Sequence, residues 1–176
     1  MRILGIDPGL RITGYGCVER EGLGANLVEA GVFRLGRQPG GTISSVPDRL
    51  LELDTDLTAL IDRLRPDAVA VEVVFSHVKH PATAIAMGHA RGVILLGIRK
   101  AGVRLVELRP AEIKKFLTGN GQAKKGQMQA AVQLRLGLAA RPEPPDVADA
   151  IAIALCAVSR SAHPIAVKGL ARSVQQ

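Results

Sequence analysis

The hydrophobic pattern opens with a short, continuous apolar run that ends in an acid. Residues 3–6 are apolar apart from one glycine, which is typical of a strand buried on both faces of a sheet. Asp7 ends the run, and Pro8 and Gly9 then break the strand. A carboxylate at the rim of a buried sheet is costly unless something pairs with it. The alternative is that Asp7 simply starts an Asp-Pro-Gly turn.

Two further strands are predicted at residues 10–19 and 27–35, with Gly22 and Gly24 marking the turn between them. Short connections favour antiparallel pairing between consecutive strands. The first three strands are therefore expected to form an antiparallel meander.

A helix and a fourth strand follow. Leucine and isoleucine recur at helical spacing from Pro47 to about Leu64, and residues 68–72 form another apolar run that ends in an acid, Glu72. A strand, a helix and a strand imply a right-handed crossover to a parallel strand. If the first and fourth strands are neighbours, Asp7 and Glu72 lie at the same end of the sheet, where ligands bind in α/β folds.

The rest of the chain predicts an α/β fold with a five-stranded mixed sheet and helices on both faces. No internal repeat or second domain is evident, so we assign residues 1–162 to one domain and 163–176 to a flexible basic tail. The remaining elements are a helix at 81–100, a strand at 103–107, helices at 110–117 and 127–136, and a buried helix from residue 146.

The last helix opens with two acids, Asp146 and Asp149. Residues three apart lie on one face of a helix, so both carboxylates are expected to point the same way. Capping is an equally strong interpretation, because Asp146 is a good N-cap and Asp149 favours the helix dipole. Burial of the helix suggests that its first turn abuts the sheet.

Four converging carboxylates, Asp7, Glu72, Asp146 and Asp149, would repel one another unless divalent cations neutralised them. Mg²⁺ prefers a few carboxylates together with water and phosphate oxygens. Two such ions about 3.5–4 Å apart bind the attacking and leaving oxygens of a phosphodiester. The pattern therefore indicates a two-metal nuclease that uses Mg²⁺, with Mn²⁺ as a possible substitute.

Charge and composition agree with a nucleic-acid substrate. Lys and Arg outnumber Asp and Glu by 23 to 16, a net charge of +7 that attracts a polyanion. The apolar run at 84–98 contains His89 and Arg91 and is too short to span a bilayer. Cys17 and Cys156 are read as buried apolar residues in a reducing compartment. We therefore expect a cytoplasmic protein with no membrane partner.

At this point the chain resembles the RuvC-type Holliday junction resolvases, crossover junction endonucleases with a ribonuclease H-like fold. Each matching stretch is weak alone, but together they follow the family's order across almost the whole chain. They are residues 5–9 with 13–16, residues 71–72 with Phe75, residues 88–92, and residues 146–154. Val73 and the pair His80-Pro81 depart from the family's pattern beside the active-site loop.

The resemblance implies that Asp7, Glu72, Asp146 and Asp149 are the metal-binding catalytic acids. It also implies a homodimer that nicks two opposed strands of a four-way DNA junction symmetrically and acts with the branch-migration complex RuvAB.

Lysines form two doublets, Lys114-Lys115 and Lys124-Lys125. The resemblance implies that Lys114 and Lys125 occupy positions where the family has a catalytic lysine near the scissile phosphate. Lys115 and Lys124 add charge beside them and are expected to contact DNA. A solvated surface is the alternative for any single lysine. Lys125 is expected in a loop.

The loop after Glu72 supplies further candidates for DNA binding. Family members stack a phenylalanine at the position of Phe75 on bases near the crossover, although a core phenylalanine is an equal alternative on sequence alone. His77 and His80 are expected to touch phosphate, and Lys79 is a further candidate for DNA binding. His89 is expected to pack within its helix.

Three other functions fit parts of the pattern. An actin-like or sugar-kinase-like ATPase also begins with a strand, an acid and a glycine turn, but it needs two such domains. A module that only binds branched DNA needs basic residues but no converging acids. A ribonuclease H-like enzyme acting on RNA or RNA–DNA hybrids shares the metal chemistry, so the acids do not exclude it.

Overall fold

The computed structural model describes residues 1–22, 24–37, 43–73 and 81–162. The strands are β1 (Arg2–Asp7), β2 (Ile12–Glu21), β3 (Gly24–Arg34), β4 (Ala68–Glu72) and β5 (Arg104–Leu108). The helices are α1 (Val46–Leu64), α2 (Pro81–Lys100), α3 (Pro110–Thr118), α4 (Lys125–Leu136) and α5 (Pro145–Ala162). None of the helices in these ranges combines the length and apolar character needed to cross a bilayer.

The five strands form one mixed sheet in the order β3-β2-β1-β4-β5. The pairs β1–β2 and β2–β3 are antiparallel, which confirms the predicted meander. The pairs β1–β4 and β4–β5 are parallel, as the crossover through α1 predicts. The mixed sheet confirms the predicted α/β fold class.

Helices cover both faces of the sheet because side chains of β1 alternate between two cores. Leu4 and Ile6 point to a core shared with α1 and α2. Ile3, together with Val18 of β2, points to a second core shared with α3, α4 and α5. Alternation of this kind follows from the two-residue period of a strand.

Helix α5 lies directly on the backbone of β1 and β2, and strand glycines make this approach possible. A Cβ atom at Gly5 would lie 2.2 Å from the Ala150 carbonyl oxygen, and one at Gly14 would lie 2.1 Å from the Asp146 carbonyl oxygen. Any side chain at either position would collide with the helix backbone. The apolar character of α5, with residues 150–158 all buried, follows from this position.

Several predicted element boundaries are shifted by one to three residues in the structure. Lys125 is the first residue of α4 and not a loop residue, because the Lys124 N–H donates to Gln127 Oε1 at 2.8 Å and starts the helix earlier. Asp146 is inside α5 and not its N-cap, because Pro145 occupies the first helical position. Strand β3 begins at Gly24, which extends the hairpin toward Gly22.

Both cysteines are buried, and burial raises the pKa of the Cys17 thiol to about 11 and that of Cys156 to about 12. Since the thiolate is the reactive form, we expect neither thiol to react with DTNB in the folded protein. Two thiols per chain should react after denaturation in guanidinium chloride. Rapid labelling of the native protein would contradict the burial of these side chains.

Candidate active site

Two acids meet at one edge of the sheet because their strands are parallel neighbours. Asp7 is the last residue of β1 and Glu72 is the last residue of β4. The register pairs Ile6 with Val71, so the two strands end side by side. The carboxyl ends of neighbouring parallel strands are where α/β folds bind their ligands.

The other two acids arrive on the first turn of α5. Gly14 is the register partner of Asp7 on β2, and Asp146 lies against the α-carbon of Gly14. Asp149 follows on the same face of the helix, and all four carboxylates line one cavity. The cavity has a volume of about 1000 Å³.

The acids influence one another's charge. Burial raises the pKa of Asp7 to about 8, with further increases from the negative charges of Asp149, Glu72 and Asp146. Burial and the charge of Asp149 likewise raise the pKa of Glu72. These shifts indicate a site in which negative charge lacks sufficient compensation from the protein alone.

Lysines on α3 and around the start of α4 line the same cavity. Lys114, Lys124 and Lys125 are lining residues, whereas Lys115 is exposed and lies outside the cavity lining. Burial raises the pKa of Asp149, and the charges of Lys125 and Lys114 oppose this shift. The structure thus distinguishes the two members of the Lys114–Lys115 doublet, which the sequence did not.

The turn that follows Asp7 is held by a buried threonine. Thr13 Oγ1 donates to the Gly9 carbonyl at 2.6 Å and accepts from the Gly9 N–H at 3.3 Å. Thr13 is fully buried, so both bonds are shielded from water. They fix the path of the chain immediately after Asp7. This role of Thr13 was not predicted from the sequence, although its four-residue spacing from Gly9 is a signal that could have indicated it.

Arg11 and Arg49 also line the cavity, and neither was predicted from the sequence to belong to the site. Arg49 is remote in sequence from the four converging acids and lies within the regular pattern of an amphipathic helix. Nothing in that pattern marks it as a cavity residue.

The donor set suits a hard divalent cation, because carboxylate oxygens are among the ligands that Mg²⁺ prefers. The raised pKa of Asp7 supports this fit, since a cation would relieve the repulsion that causes part of the shift. Within the described ranges, no three Asp, Glu, His or Cys side chains are grouped closely enough to hold an ion as they stand. Metal binding would therefore require the carboxylates to draw together.

Several predicted DNA-binding residues lie outside the described ranges, namely Phe75, His77 and Lys79, as does His80. Val73 is described: its N–H donates to the Leu108 carbonyl at 2.8 Å, which continues the β4–β5 pairing. His89 is exposed on α2, so the prediction that it packs within its helix was wrong. Ala90 and Ile94 of the same helix are buried, so the buried face of α2 does not include His89.

Comparison with known proteins gives one consistent family. Residues 3–157 match the family described as "Crossover junction endodeoxyribonuclease RuvC". A protein of that name from Rhodopirellula baltica is 47% identical over 163 residues, which cover 93% of this chain and 89% of the relative. The protein of the same name from Chloroflexus aggregans is 47% identical over 156 residues, covering 89% and 92%.

Solved structures agree with this result. The structure described as "T. thermophilus RuvC in complex with Holliday junction substrate" superposes with a TM-score of 0.81 at 33% identity, covering 92% of this chain and 94% of that one. The yeast mitochondrial Holliday junction resolvase Ydc2 shares the fold, with a TM-score of 0.67 at 16% identity. With a family match across most of its length and relatives of this similarity, the chain belongs to the RuvC family of crossover junction endodeoxyribonucleases.

Proposed function

We propose that this protein resolves four-way DNA junctions during recombination and repair by metal-dependent hydrolysis of phosphodiesters in two opposed strands. The observation that carries the proposal is the convergence of Asp7, Glu72, Asp146 and Asp149 on one cavity. These acids come from two strands and a helix that are far apart in the sequence. Family membership supports DNA as the substrate.

In this proposal Asp7, Glu72, Asp146 and Asp149 hold two Mg²⁺ ions, with Mn²⁺ as a substitute. Bound divalent cations would supply an activated water and stabilise the leaving oxygen. Lys114 and Lys125 line the same cavity and would hold the scissile phosphate beside the acids. Lys124 extends the positive charge along the entering strand. Lys115, outside the lining, is assigned to DNA contacts beyond the cavity.

A homodimer would place two such cavities on one junction, and α2 offers a surface for it. Ile85 is 60% exposed and Leu96 is 54% exposed on the same helix. Gly88 and Gly92 between them are exposed, and Cβ atoms there would meet open space. Small residues flanked by large apolar ones allow close approach of a second backbone. We propose that this stripe forms part of a two-fold interface.

Sedimentation would test the interface. The wild type should sediment as a dimer, whereas an Ile85→Arg/Leu96→Arg variant should sediment as a monomer, because charge would have to be buried at the centre of the contact. Leu134→Arg is the matched control, since Leu134 is 85% exposed on α4 and lies away from the stripe. A double variant that remains a dimer would overturn the assignment of this surface.

The proposed function is tested on a synthetic four-way junction with labelled arms. The wild type and Asp7→Asn are incubated with it in Mg²⁺ or in EDTA, beside a linear duplex and an RNA–DNA hybrid. Paired nicks at the junction that are lost in EDTA and in the variant, while binding survives, would support resolution. A parallel reaction with added RuvAB would show whether this branch-migration complex stimulates cleavage.

Other outcomes select the alternatives. Binding of the junction without cleavage in any metal would leave a protein that only recognises branched DNA. Cleavage of the hybrid in preference to the junction would keep the metal site and change the substrate to that of a ribonuclease H-like enzyme.

A further inference from the structure

A pair of arginines borders the acidic centre on the side opposite the lysines. Lys114 and Lys125 belong to α3 and α4, which pack on one face of the sheet. Arg49 belongs to α1, which packs on the other face, and Arg11 lies in the turn between β1 and β2. Both arginines line the cavity that contains the four acids. Positive charge therefore flanks the acids from both faces of the sheet.

Arg49 is held in place by its surroundings. Its side chain crosses Gly36, where a Cβ atom would lie 2.6 Å from Arg49 Cδ. Its Nη1 donates to the Leu10 carbonyl and its Nε to the Ser45 carbonyl, each at 3.4 Å. Leu10 precedes Arg11, so Arg49 ties the turn that follows Asp7 to the start of α1.

Arg11 has a different character. It is exposed at the cavity rim and makes no ion pair with any residue in the described part of the chain. In contrast, Arg2, Arg63, Arg91 and Arg160 each face a carboxylate. An arginine without a carboxylate partner keeps all five donors for a ligand, and its planar fork matches a phosphate.

We infer that Arg11 binds a backbone phosphate of the DNA strand where it crosses the active site on the face opposite the lysines, and that Arg49 is a positioning residue for Arg11. The inference rests on the proposed function, because it takes DNA as the ligand. A strand whose phosphates are held on both sides of the acids is fixed along its length at the point of cleavage. Phosphate contacts set register and orientation without reading sequence.

The salt dependence of binding tests the inference directly. In an Asp7→Asn background that does not cut, junction affinity is measured for full-length protein over a series of KCl concentrations. Each lost phosphate contact should reduce the slope of log K against log[salt] by about 0.9. We expect Arg11→Gln to show this reduction and Arg11→Lys to retain most of the slope. Arg11→Gln should leave the melting temperature unchanged, because its side chain is exposed.

Arg65→Gln is the matched control. Arg65 is an exposed arginine at the C-cap of α1, about 24 Å along the helix from Arg49. Its replacement should leave the slope unaltered. If Arg49 acts through Arg11, Arg11→Gln/Arg49→Gln should bind no more weakly than Arg11→Gln. Additive losses would overturn the positioning role of Arg49.

The outcomes separate this inference from the proposed function. If the Asp7→Asn parent does not bind the junction, the proposed function itself fails. If the parent binds with a steep salt slope and Arg11→Gln shows the same slope, only the phosphate site at Arg11 is overturned.

Discussion

Replacing Asp7 with Asn should abolish junction cleavage and, in the same protein, raise the melting temperature measured without metal. Loss of a shared metal ligand removes several kcal/mol of transition-state stabilisation, so we expect a fall in rate of about 10³-fold or more. Stability changes in the opposite direction because Asp7 is buried among three other acids whose charges raise its pKa. Catalysis and stability are thus expected to place opposite demands on this residue.

The stability gain should depend on pH. The pKa of Asp7 is about 8 in the folded protein, against a reference value of 3.8. Between these values the folded state binds the proton more tightly than the unfolded state, so stability falls as pH rises. Above about pH 8 both states are ionised and the loss is complete. In EDTA, the melting temperature of Asp7→Asn should therefore exceed that of the wild type by an increasing margin from pH 4 to pH 8.

Asp62→Asn is the control for the removal of one carboxylate, because Asp62 is exposed on α1. It should change neither cleavage nor the pH dependence. Saturating Mg²⁺ should stabilise the wild type more than Asp7→Asn, because a ligand that binds only the folded state raises its stability. A wild type whose melting temperature is insensitive to Mg²⁺ would contradict the metal site, whatever the cleavage assay shows.

Gly14→Ala should destabilise the protein and impair cleavage together. Its Cβ would lie 2.1 Å from the Asp146 carbonyl oxygen, so α5 must move away from β2. Overpacking of this kind typically costs about 1–3 kcal/mol, and here the obstacle is backbone that cannot rotate aside. Because Asp146 and Asp149 travel with the helix, the displaced acids should also bind metal more weakly. We expect a lower melting temperature and a higher Mg²⁺ concentration for half-maximal cleavage.

Gly24→Ala is the matched control, because Gly24 also lies in a strand and its nearest neighbour would be 3.7 Å from a Cβ atom. It should retain wild-type cleavage and metal dependence. If the folded fraction of Gly14→Ala cuts with normal Mg²⁺ dependence, the close contact between β2 and α5 does not position the acids.

The elements of this fold were largely predictable because each carries a strong local pattern. The continuous apolar runs before Asp7 and Glu72 mark buried strands, and the spacing of leucines marks α1. Boundaries were less predictable. Lys125 joins a helix because the Lys124 N–H donates to the Gln127 side chain. The helical and loop conformations of such a terminal residue differ little in free energy, so the boundary is hard to predict.

The four acids illustrate how far a sequence alone determines a site. Two strands that each end in an acid imply a shared edge if they are parallel neighbours, and the sequence supplies both the strands and the crossover that makes them so. It also supplies the three-residue spacing of Asp146 and Asp149. Whether that pair capped a helix or faced the sheet stayed open, because both follow from the same residues.

Only the tertiary structure decided whether Asp146 and Asp149 face the sheet, and which basic residues join the acids. Gly14 admits the α5 backbone beside the register partner of Asp7, a contact between segments over 130 residues apart that no local pattern encodes. The same is true of Arg49, which α1 carries to the cavity from the opposite face of the sheet. Local patterns determine elements because they depend on neighbours in the chain, whereas a site depends on packing between elements.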